Sequence, residues 1–568
     1  MSALGAFTFV LHSHLPYARL AGRWPHGEEW IHEAAVETYI PLLDTLYDLK
    51  DEGIPFRLTI DITPILAEQL TDPSVIDHLD QYLDARIAAA ERDLELYSQP
   101  ETGHTQLAYL AGWYKQGFDH VKTAFNQRFN RDIIGAFRVL QDEGLIEIIT
   151  SAATHAYLPL LNRDSSLNAQ FRTAVVSYRR MFGRDPSAAW LPECGYRPAY
   201  ISRAGHTRPG LEYFLNRNGL KLFFSETHTI TGGQPVGIAA GDVLGPYGEI
   251  KRRYVIPPMP DPAPPERQAT TFLPYYVPNT LSGADSEQHS QVAVIGRNNR
   301  VGQQVWSAEW GYPADFDYRE FHRKAGTSGL QYWRITGSKV DLGQKDFYHP
   351  DWASYKVDQH AEHFVHMIGD ILRAYHHDTE QFGVVAAAYD TELFGHWWYE
   401  GVSWLGKVLR HLASDSNIAV MTASQFLDEN PPQQVLSLPE SSWGAGGGHF
   451  VWDNNETHWM WPPLHEAERR MEQLVARYPT ASADETLALN QAARELRLAQ
   501  SSDWPFLVTT HQAREYAIQR FSQHLERFNK LADGLEAGAP DVALARELWE
   551  LDRVFPDIDF RWFAEFEG

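Results

Sequence analysis

The sequence predicts a parallel α/β barrel, in which a ring of strands is surrounded by helices. Seven short apolar runs have the pattern of buried strands and end in polar residues; they occupy residues 7–14, 56–63, 145–155, 188–196, 220–228, 292–296 and 382–392. Helical patterns separate several of these runs, for example at 32–49 and 168–183. Strand, helix and strand repeated in this way are typical of a parallel barrel.

Polar residues gather at the ends of the predicted strands. Parallel barrels place their chemistry at the carboxyl ends of the strands. The residues found there are His12, His14, Asp61, His155, Glu193, Glu226 and Asp390. We therefore expect these side chains to share one cleft.

Two inserts and a late change of pattern divide the chain. Helical patterns fill 76–144, a Gly- and Pro-rich stretch covers 229–291, and from about 406 the strands give way to amphipathic helices. We predict four parts: a first part of the barrel over 1–75, a helical insert over 76–144, a second part of the barrel over 145–405 that contains the long loop 229–291, and an all-helical C-terminal domain over 406–568.

The charge and the cysteine count exclude several classes of protein. The chain of 568 residues has 49 Lys and Arg against 74 Asp and Glu, a formal net charge of −25. This charge opposes binding to nucleic acid or an anionic membrane and favours a neutral substrate. No run of 18 or more apolar residues predicts a membrane span, and the apolar start MSALGAFTFVLHSH lacks the basic segment of a signal peptide. With one cysteine, we expect a cytoplasmic protein without an internal disulfide.

Aromatic residues are abundant, with 18 Trp, 26 Tyr and 28 Phe. Many of the Trp residues lie in polar, Gly-rich text such as GRWPHGEEW, SSWGAGGGHFVWDNN and NETHWMWPP. Such placement favours surface or cleft positions, where flat rings stack on the apolar faces of sugars. The alternative is that these large side chains pack loops.

Glu193 in WLPECGY and Asp390 in YDTELFGHWWYEG are the leading catalytic pair. Cleavage of a glycosidic bond commonly needs one carboxyl group to protonate the leaving oxygen and one to attack or to activate water. A separation of about 5–5.5 Å gives retention of configuration and about 6.5–9.5 Å gives inversion. The alternative for each residue is a hydrogen-bonded structural carboxylate.

HSHLP and the lone cysteine raise two further possibilities. His12 and His14 could share a metal with His155, Asp61 or Asp390, or they could hydrogen-bond substrate hydroxyls or the catalytic acids. No second close cluster of His, Cys or Asp appears in the sequence, so we predict no metal and no cofactor. Cys194 adjoins Glu193, which would raise its pKa, and we interpret it as a packing residue. Nucleotide-binding glycine motifs are absent.

Five stretches in order resemble glycoside hydrolase family 57, and within it most resemble the 1,4-α-glucan branching enzymes: FVLHSHLPY, GLIEIITSAATHAYLPLL, WLPECGYRP, AAYDTELFGHWWYEG and SSDWPFL. The resemblance runs essentially end to end. It implies an incomplete (β/α)7 barrel with a helical insert and an all-helical C-terminal domain. It also implies a retaining enzyme that uses no metal.

The resemblance assigns roles by position. Glu193 would be the nucleophile and Asp390 the general acid/base. Asp503 would close the cleft from the helical domain, and Tyr247 would be the tyrosine of a mobile loop over the site. The other side chains expected to bind substrate are His12, His14, His155, Trp24, Trp30, Trp306, Trp397, Trp443 and Trp452.

The expected activity is transfer of an α-1,4-glucan segment, from amylose or glycogen, to a 6-hydroxyl, which forms an α-1,6 branch with retained configuration. Asp390 should then be protonated at rest and Glu193 ionised. The same pair would serve an α-amylase or a 4-α-glucanotransferase, and the aromatic residues alone would serve a non-catalytic glucan-binding protein. A metal-dependent deacetylase, argued from His12 and His14, is a further alternative. The oligomeric state is left open, with a monomer favoured.

Overall fold

The computed structural model describes residues 3–101, 103–202, 205–233, 244–245, 248–249, 267–279, 289–306, 311–337 and 339–565. The strands are β1 (Gly5–Ser13), β2 (Leu58–Ile62), β3 (Ile146–Ile149), β4 (Ala188–Ala189), β5 (Tyr200–Ile201), β6 (Thr207–Arg208), β7 (Leu222–Ser225), β8 (Leu244–Gly245), β9 (Gly248–Glu249), β10 (Tyr275–Pro278), β11 (His289–Gly296), β12 (Gly383–Asp390) and β13 (Ile418–Val420).

The helices in the first two thirds of the chain are α1 (Glu29–Ala34), α2 (Ile40–Asp51), α3 (Pro64–Leu70), α4 (Pro73–Ser98), α5 (Thr105–Thr123), α6 (Ile133–Asp142), α7 (Asp164–Phe182), α8 (Leu211–Arg217), α9 (Thr227–Thr231), α10 (Asn299–Trp306) and α11 (Pro350–Thr379). They are followed by α12 (Gly401–Ser414), α13 (Ala423–Glu429), α14 (Trp461–Arg477), α15 (Ala483–Ala499), α16 (Asp503–Thr510), α17 (Arg514–Glu536) and α18 (Val542–Leu551). No described helix combines the length and the apolar character needed to cross a bilayer.

Parallel strands form the centre of the molecule in two sheets. The first sheet has the order β12-β1-β2-β3, and the second contains β4, β7 and β11 as parallel neighbours, with β10 antiparallel at its edge. A parallel bridge between Thr150 and Ala189 joins β3 to β4. The described residues form no ladder between β11 and β12, so the ring stays open there. Seven parallel strands in an open ring confirm the predicted incomplete barrel.

The apolar runs form strands because both of their faces are covered. All nine residues of β1 are buried, and Phe9 packs between Phe364 of α11 and Trp404 of α12. The run predicted at 188–196 forms a strand of only two residues. Pro192 lacks an amide hydrogen and Glu193 has a φ of 61°, so neither residue can continue the ladder.

Helices α4, α5 and α6 lie in the predicted insert, and α14 to α18 pack on one another near the C-terminus. The prediction that strands stop at about 406 is wrong, because β13 pairs in parallel with β1. Its three residues are too short an apolar run to be distinguished from a helix. The other domain boundaries stay predictions.

A buried ionic network ties the C-terminal helices to the segment after β1. Arg19 donates to the Leu551 carbonyl at 2.7 Å and to Asp72 at 2.7 Å. Behind them, His524 lies 2.7 Å from Glu495, and Arg527 lies 2.5 Å from Asp552. Because buried charges and buried polar groups are costly when they lack a partner, these contacts favour one position of the helices.

Candidate active site

Three polar residues meet where neighbouring strands end. In the parallel register, His12 at the end of β1 lies beside Asp390 of β12 on one side and Asp61 of β2 on the other. All three lie at the carboxyl ends of their strands, the edge at which parallel barrels place their chemistry. The predicted convergence of these residues is therefore observed.

Glu193 is held in a strained turn by the segment that contains Trp443. Its φ of 61° and the φ of 49° at Cys194 are both in the left-handed region, which is uncommon for residues with a Cβ. The Trp443 amide donates to the Glu193 carbonyl at 3.0 Å, and Ser441 and Tyr196 exchange backbone hydrogen bonds of 2.8 and 3.0 Å beside it. The Trp443 indole N–H donates to Oε2 of Glu193 at 2.6 Å. One loop thus fixes both the backbone and the carboxylate.

Burial raises the pKa of Glu193 to about 7. The hydrogen bond from Trp443 and the positive charge of His14 oppose this rise, and the charge of Asp503 adds to it. We expected an ionised Glu193; the raised pKa opposes that expectation, whereas Trp443 and His14 favour the carboxylate. Burial also raises the pKa of the Cys194 thiol, as expected of a packing residue.

Asp390 has the environment of a proton donor. Burial raises the pKa of its carboxyl group well above the usual range, and the negative charges of Glu392 and Glu193 raise it further. The positive charge of Arg297 opposes them. A raised pKa is the direction that we expected for a residue that must be protonated at rest.

Hydrogen bonds connect His12 and His155 in a row. His12 Nδ1 lies 2.6 Å from Asp61, the two Nε2 atoms lie 3.1 Å apart, and His155 Nδ1 lies 2.8 Å from the Ser502 hydroxyl. Burial lowers the pKa of both rings, so each is neutral and can donate from one nitrogen and accept at the other. Since their ring nitrogens bond to protein groups, direct contact of these residues with substrate stays a prediction.

His14 and Asp503 join the barrel to α16. His14 Nε2 lies 2.9 Å from Asp503 Oδ1, and Ser501 donates to the other carboxylate oxygen at 2.5 Å. The His14 ring stacks on His155 with centroids 3.8 Å apart. Ligand atoms of His14, His155 and Asp503 lie within 4.8 Å of one another, so the trio could hold a metal ion. His12, Asp61 and Asp390, which the sequence offered as possible ligands, are not part of this trio.

The tryptophans expected to bind substrate lie in different environments. Trp443 is half-buried and close to Trp190, with ring centroids 5.1 Å apart. Trp306 and Trp397 are also half-buried and lie 6.0 Å apart between centroids. Trp24 is 77% exposed. All of them can present a ring to a ligand. Tyr247 lies outside the described residues.

Trp30 and Trp452 are core residues, which corrects the prediction that they stack on substrate. Trp30 is 3% exposed and packs edge-on against Tyr516. Trp452 is fully buried and stacks on Tyr157 with centroids 4.0 Å apart. The polar, Gly-rich sequence around both residues does not indicate that other parts of the chain cover their rings.

The sequence analysis missed Arg297. This residue follows β11, and its guanidinium lies 2.8 Å from the carboxylate of Glu226, which follows the neighbouring strand β7. The same guanidinium lies 5.8 Å from the ring centroid of Trp443. Arg297 therefore contacts the residue that holds Glu193 and also acts on Asp390 through its charge. Its position directly after a predicted strand was the signal that could have identified it.

Comparisons with known proteins match the chain to described families over most of its length. Residues 8–439 match the family model described as glycosyl hydrolase family 57, and residues 463–563 match that of the 1,4-alpha-glucan branching enzyme C-terminal region. The chain is 42% identical over 560 residues to a 1,4-alpha-glucan branching enzyme of Thermococcus kodakarensis, covering 97% of this chain and 77% of that protein.

Several solved structures are similar to this chain along almost its whole length. The crystal structure of the T. kodakarensis enzyme with glucose has a TM-score of 0.87 at 41% identity, covering 100% of this chain and 97% of that one. A branching enzyme from Pyrococcus horikoshii has a TM-score of 0.84 at 38% identity, covering 99% and 97%. The α-amylase AmyC from Thermotoga maritima has a TM-score of 0.81 at 31% identity, covering 100% of both chains.

Replacement of Trp443 by Phe should move the acidic limb of the pH–rate profile. In the wild type, the hydrogen bond from the Trp443 indole favours the carboxylate and lowers the pKa of Glu193. Its removal therefore raises that pKa above about 7. An attacking carboxylate must be ionised, so with Glu193 in the predicted role of nucleophile the acidic limb in kcat/KM should move up by about 1 pH unit. The measurement is the rate on amylose across pH. Trp459→Phe, the same exchange at an exposed position, is the matched control, and an unchanged limb in Trp443→Phe would contradict the assigned role.

Replacement of Arg297 by Met should have two separable effects. The lost positive charge raises the pKa of Asp390. With Asp390 in the predicted role of proton donor, activity should therefore persist to higher pH. The variant also leaves Glu226 buried without its partner, at a cost of about 3–5 kcal/mol in the free energy of unfolding.

Denaturant unfolding of Arg297→Met and of the double variant Arg297→Met/Glu226→Gln separates these effects. The Glu226→Gln substitution removes the unpaired buried charge. Most of the lost stability should therefore return, while the basic limb of the pH–rate profile stays at the higher pH. If the double variant recovers both its stability and the wild-type position of the basic limb, Arg297 has only a structural role.

Proposed function

The chain belongs to glycoside hydrolase family 57 and acts as a 1,4-α-glucan branching enzyme, and we propose that it does so by retaining double displacement through Glu193 and Asp390. The observation that supports the activity is the match to branching enzymes over almost the whole chain, including their C-terminal region at 463–563. The branching enzymes from T. kodakarensis and P. horikoshii are also more similar in sequence to this chain, at 41% and 38%, than the α-amylase AmyC at 31%.

In the first step, an α-1,4-glucan lies in the cleft with its glycosidic oxygen at Asp390. Asp390 gives its proton to this oxygen while the Glu193 carboxylate attacks the anomeric carbon. The bond between the anomeric carbon and the oxygen breaks, and the leaving chain departs with a free 4-hydroxyl. The remaining segment is now esterified to Glu193.

In the second step, Asp390 is a carboxylate and takes the proton from the 6-hydroxyl of another glucan chain. That oxygen attacks the anomeric carbon and Glu193 leaves as a carboxylate. Two inversions give net retention, and the new bond is an α-1,6 branch. Asp390 ends the cycle protonated, ready for the next donor.

The surroundings of Glu193 suit a carboxylate that attacks in the first step and leaves in the second. The carboxylate must be stable enough to leave in the second step and basic enough to attack in the first. Burial raises its pKa and the Trp443 indole lowers it, which balances these demands. The row from Ser502 to Asp61 through His155 and His12 supports the floor of the cleft with neutral rings.

Branching requires that a sugar, and not water, accepts the glucan segment. Asp503 closes one side of the cleft from the helical region and bonds to His14 of the barrel at 2.9 Å. Trp306, Trp397 and Trp443 provide half-buried aromatic surface on which an acceptor chain can stack. We propose that this surface binds the acceptor and limits the access of water.

Hydrolysis is the second candidate activity, because the α-amylase AmyC is similar over the full length of the chain. The catalytic pair would be the same, with water in place of the acceptor sugar.

The cellular setting that we propose is glycogen synthesis in the cytoplasm by a monomer. The single cysteine supports a reducing compartment, and the net charge of −25 suits a neutral polymer.

Glu193→Gln should abolish branching, because an amide cannot form the ester intermediate. We expect a fall in rate of at least about a thousandfold, with the fold retained. Amylose is incubated with each protein, the product is cut with an α-1,6-specific debranching enzyme, and reducing ends are counted before and after. Glu429→Gln, at an exposed position on α13, is the control and should behave as wild type.

The wild-type product distinguishes the candidate activities. New α-1,6 bonds with few free reducing ends support branching, whereas rising reducing ends without new branches would establish an amylase. Branching that persists in Glu193→Gln would contradict the catalytic assignment. An initial product of inverted configuration, observed by NMR, would contradict the double displacement.

A further inference from the structure

Three large aromatic side chains are exposed together at the start of α11 and on the loop before it. Trp352 is 50% exposed, Tyr355 is 63% exposed and Phe316 is 51% exposed. We call these three residues the aromatic platform. Exposed aromatic residues of this size in one place mark an interaction site more often than chance exposure of single residues.

Arg334 connects the loop residue Phe316 of the platform to Trp352 on α11. Arg334 donates to the Phe316 carbonyl at 3.1 Å, and its guanidinium lies 5.8 Å from the ring centroid of Trp352. On α11, Trp352 and Tyr355 are three residues apart and therefore project on the same side of the helix. The Arg334 guanidinium thus lies against the Trp352 ring and the Phe316 backbone, and Tyr355 follows Trp352 on the same side of α11.

The platform is rigid. The ring of His349 stacks on one face of Trp352 with centroids 4.0 Å apart, so the half-exposed indole is supported from one side. The Tyr355 hydroxyl accepts from Gln359 at 3.2 Å. Asp315, next to Phe316, lies 3.6 Å from His360 of α11 and so connects the loop to the helix. A ligand would lose little side-chain freedom on binding here.

The charges of the platform are already paired. Arg334 lies 2.8 Å from Asp346 and 3.4 Å from Asp317, and Lys356 lies 3.8 Å from Asp315. The surface therefore presents aromatic faces and hydrogen-bonding groups with little net charge. This combination suits a neutral ligand that has an apolar face and many hydroxyls, which is the chemistry of a sugar polymer.

Buried hydrogen bonds connect the platform to the catalytic strand. Glu400 lies ten residues after Asp390, on the turn that leaves β12. Its carboxylate accepts from the Arg319 amide at 3.0 Å and from the Tyr348 hydroxyl at 2.7 Å. Arg319 and Tyr348 belong to the loop that precedes α11. The start of α11 therefore lies at the same end of the barrel as the carboxyl end of β12.

We infer that the aromatic platform is a non-catalytic binding site for α-1,4-glucan, separate from the cleft. Glucose units stack their apolar faces on Trp352 and Tyr355, while Arg334 and Gln359 bond their hydroxyls. The site holds a part of the polymer that is remote from the bond being cut and raises the local concentration of chains near the cleft. This inference rests on the proposed function, since it takes the same polymer as its ligand.

Native gel electrophoresis with and without glycogen tests the inference. All variants are made in the Glu193→Gln background, so that the polymer is not altered during the run. Trp352→Ala and Tyr355→Ala should each weaken retardation by glycogen about three- to tenfold, the range expected for one aromatic stacking contact. Trp352→Phe keeps a flat ring and should recover most of the retardation. Both residues are half exposed or more, so thermal unfolding should match the parent protein.

Trp459→Ala is the matched control, because Trp459 is 44% exposed and packs on Phe521 of α17, away from the platform. It should be retarded as strongly as the parent. Equal retardation of Trp352→Ala, Tyr355→Ala and the parent would overturn the inference, even if the wild type branches amylose. A change in sedimentation without a change in retardation would also overturn it, since the platform would then be a contact between protein copies. Failure of the wild type to branch amylose would instead overturn the proposed function.

Discussion

The hydrogen bond between the Trp443 indole and the Glu193 carboxylate is the interaction on which the rest of the site depends. A buried carboxylate without a donor would take up a proton and lose its nucleophilic character. The indole supplies that donor at 2.6 Å, and the amide of the same residue fixes the Glu193 backbone at 3.0 Å. The strained φ of 61° is stable because these two bonds and the paired segment around Ser441 and Tyr196 hold it.

The helical region contributes to the site through contacts with the carboxyl ends of two barrel strands. At the start of α16, Asp503 bonds to His14, which follows β1, and Ser502 bonds to His155, which follows β3, through both its hydroxyl and its amide. The buried pairs around Arg19, Glu495 and Asp552 hold these helices against the barrel. A displacement of α16 would therefore change both the histidine row and the charge around Glu193.

The sequence predicted those features that local pattern determines. The continuous apolar runs at 7–14 and 382–392 form β1 and β12 almost as expected, because both faces of each strand are buried. Features that depend on distant parts of the chain were not predictable. Nothing in the local text shows that Trp30 and Trp452 are covered by other segments, or that Arg297 lies beside Trp443. The pKa of Glu193 likewise depends on three residues that are far from it in sequence.

Trapping of the covalent intermediate tests the central claim most directly. Asp390→Asn is incubated with a maltooligosyl fluoride, whose fluoride leaves without acid assistance, and the protein is digested and analysed by mass spectrometry. Because the variant lacks the base for the second step, a maltooligosyl ester should accumulate on the peptide that contains Glu193. A label on any other residue, or turnover of the fluoride at the wild-type rate without a label, would contradict the assignment of Glu193 and Asp390.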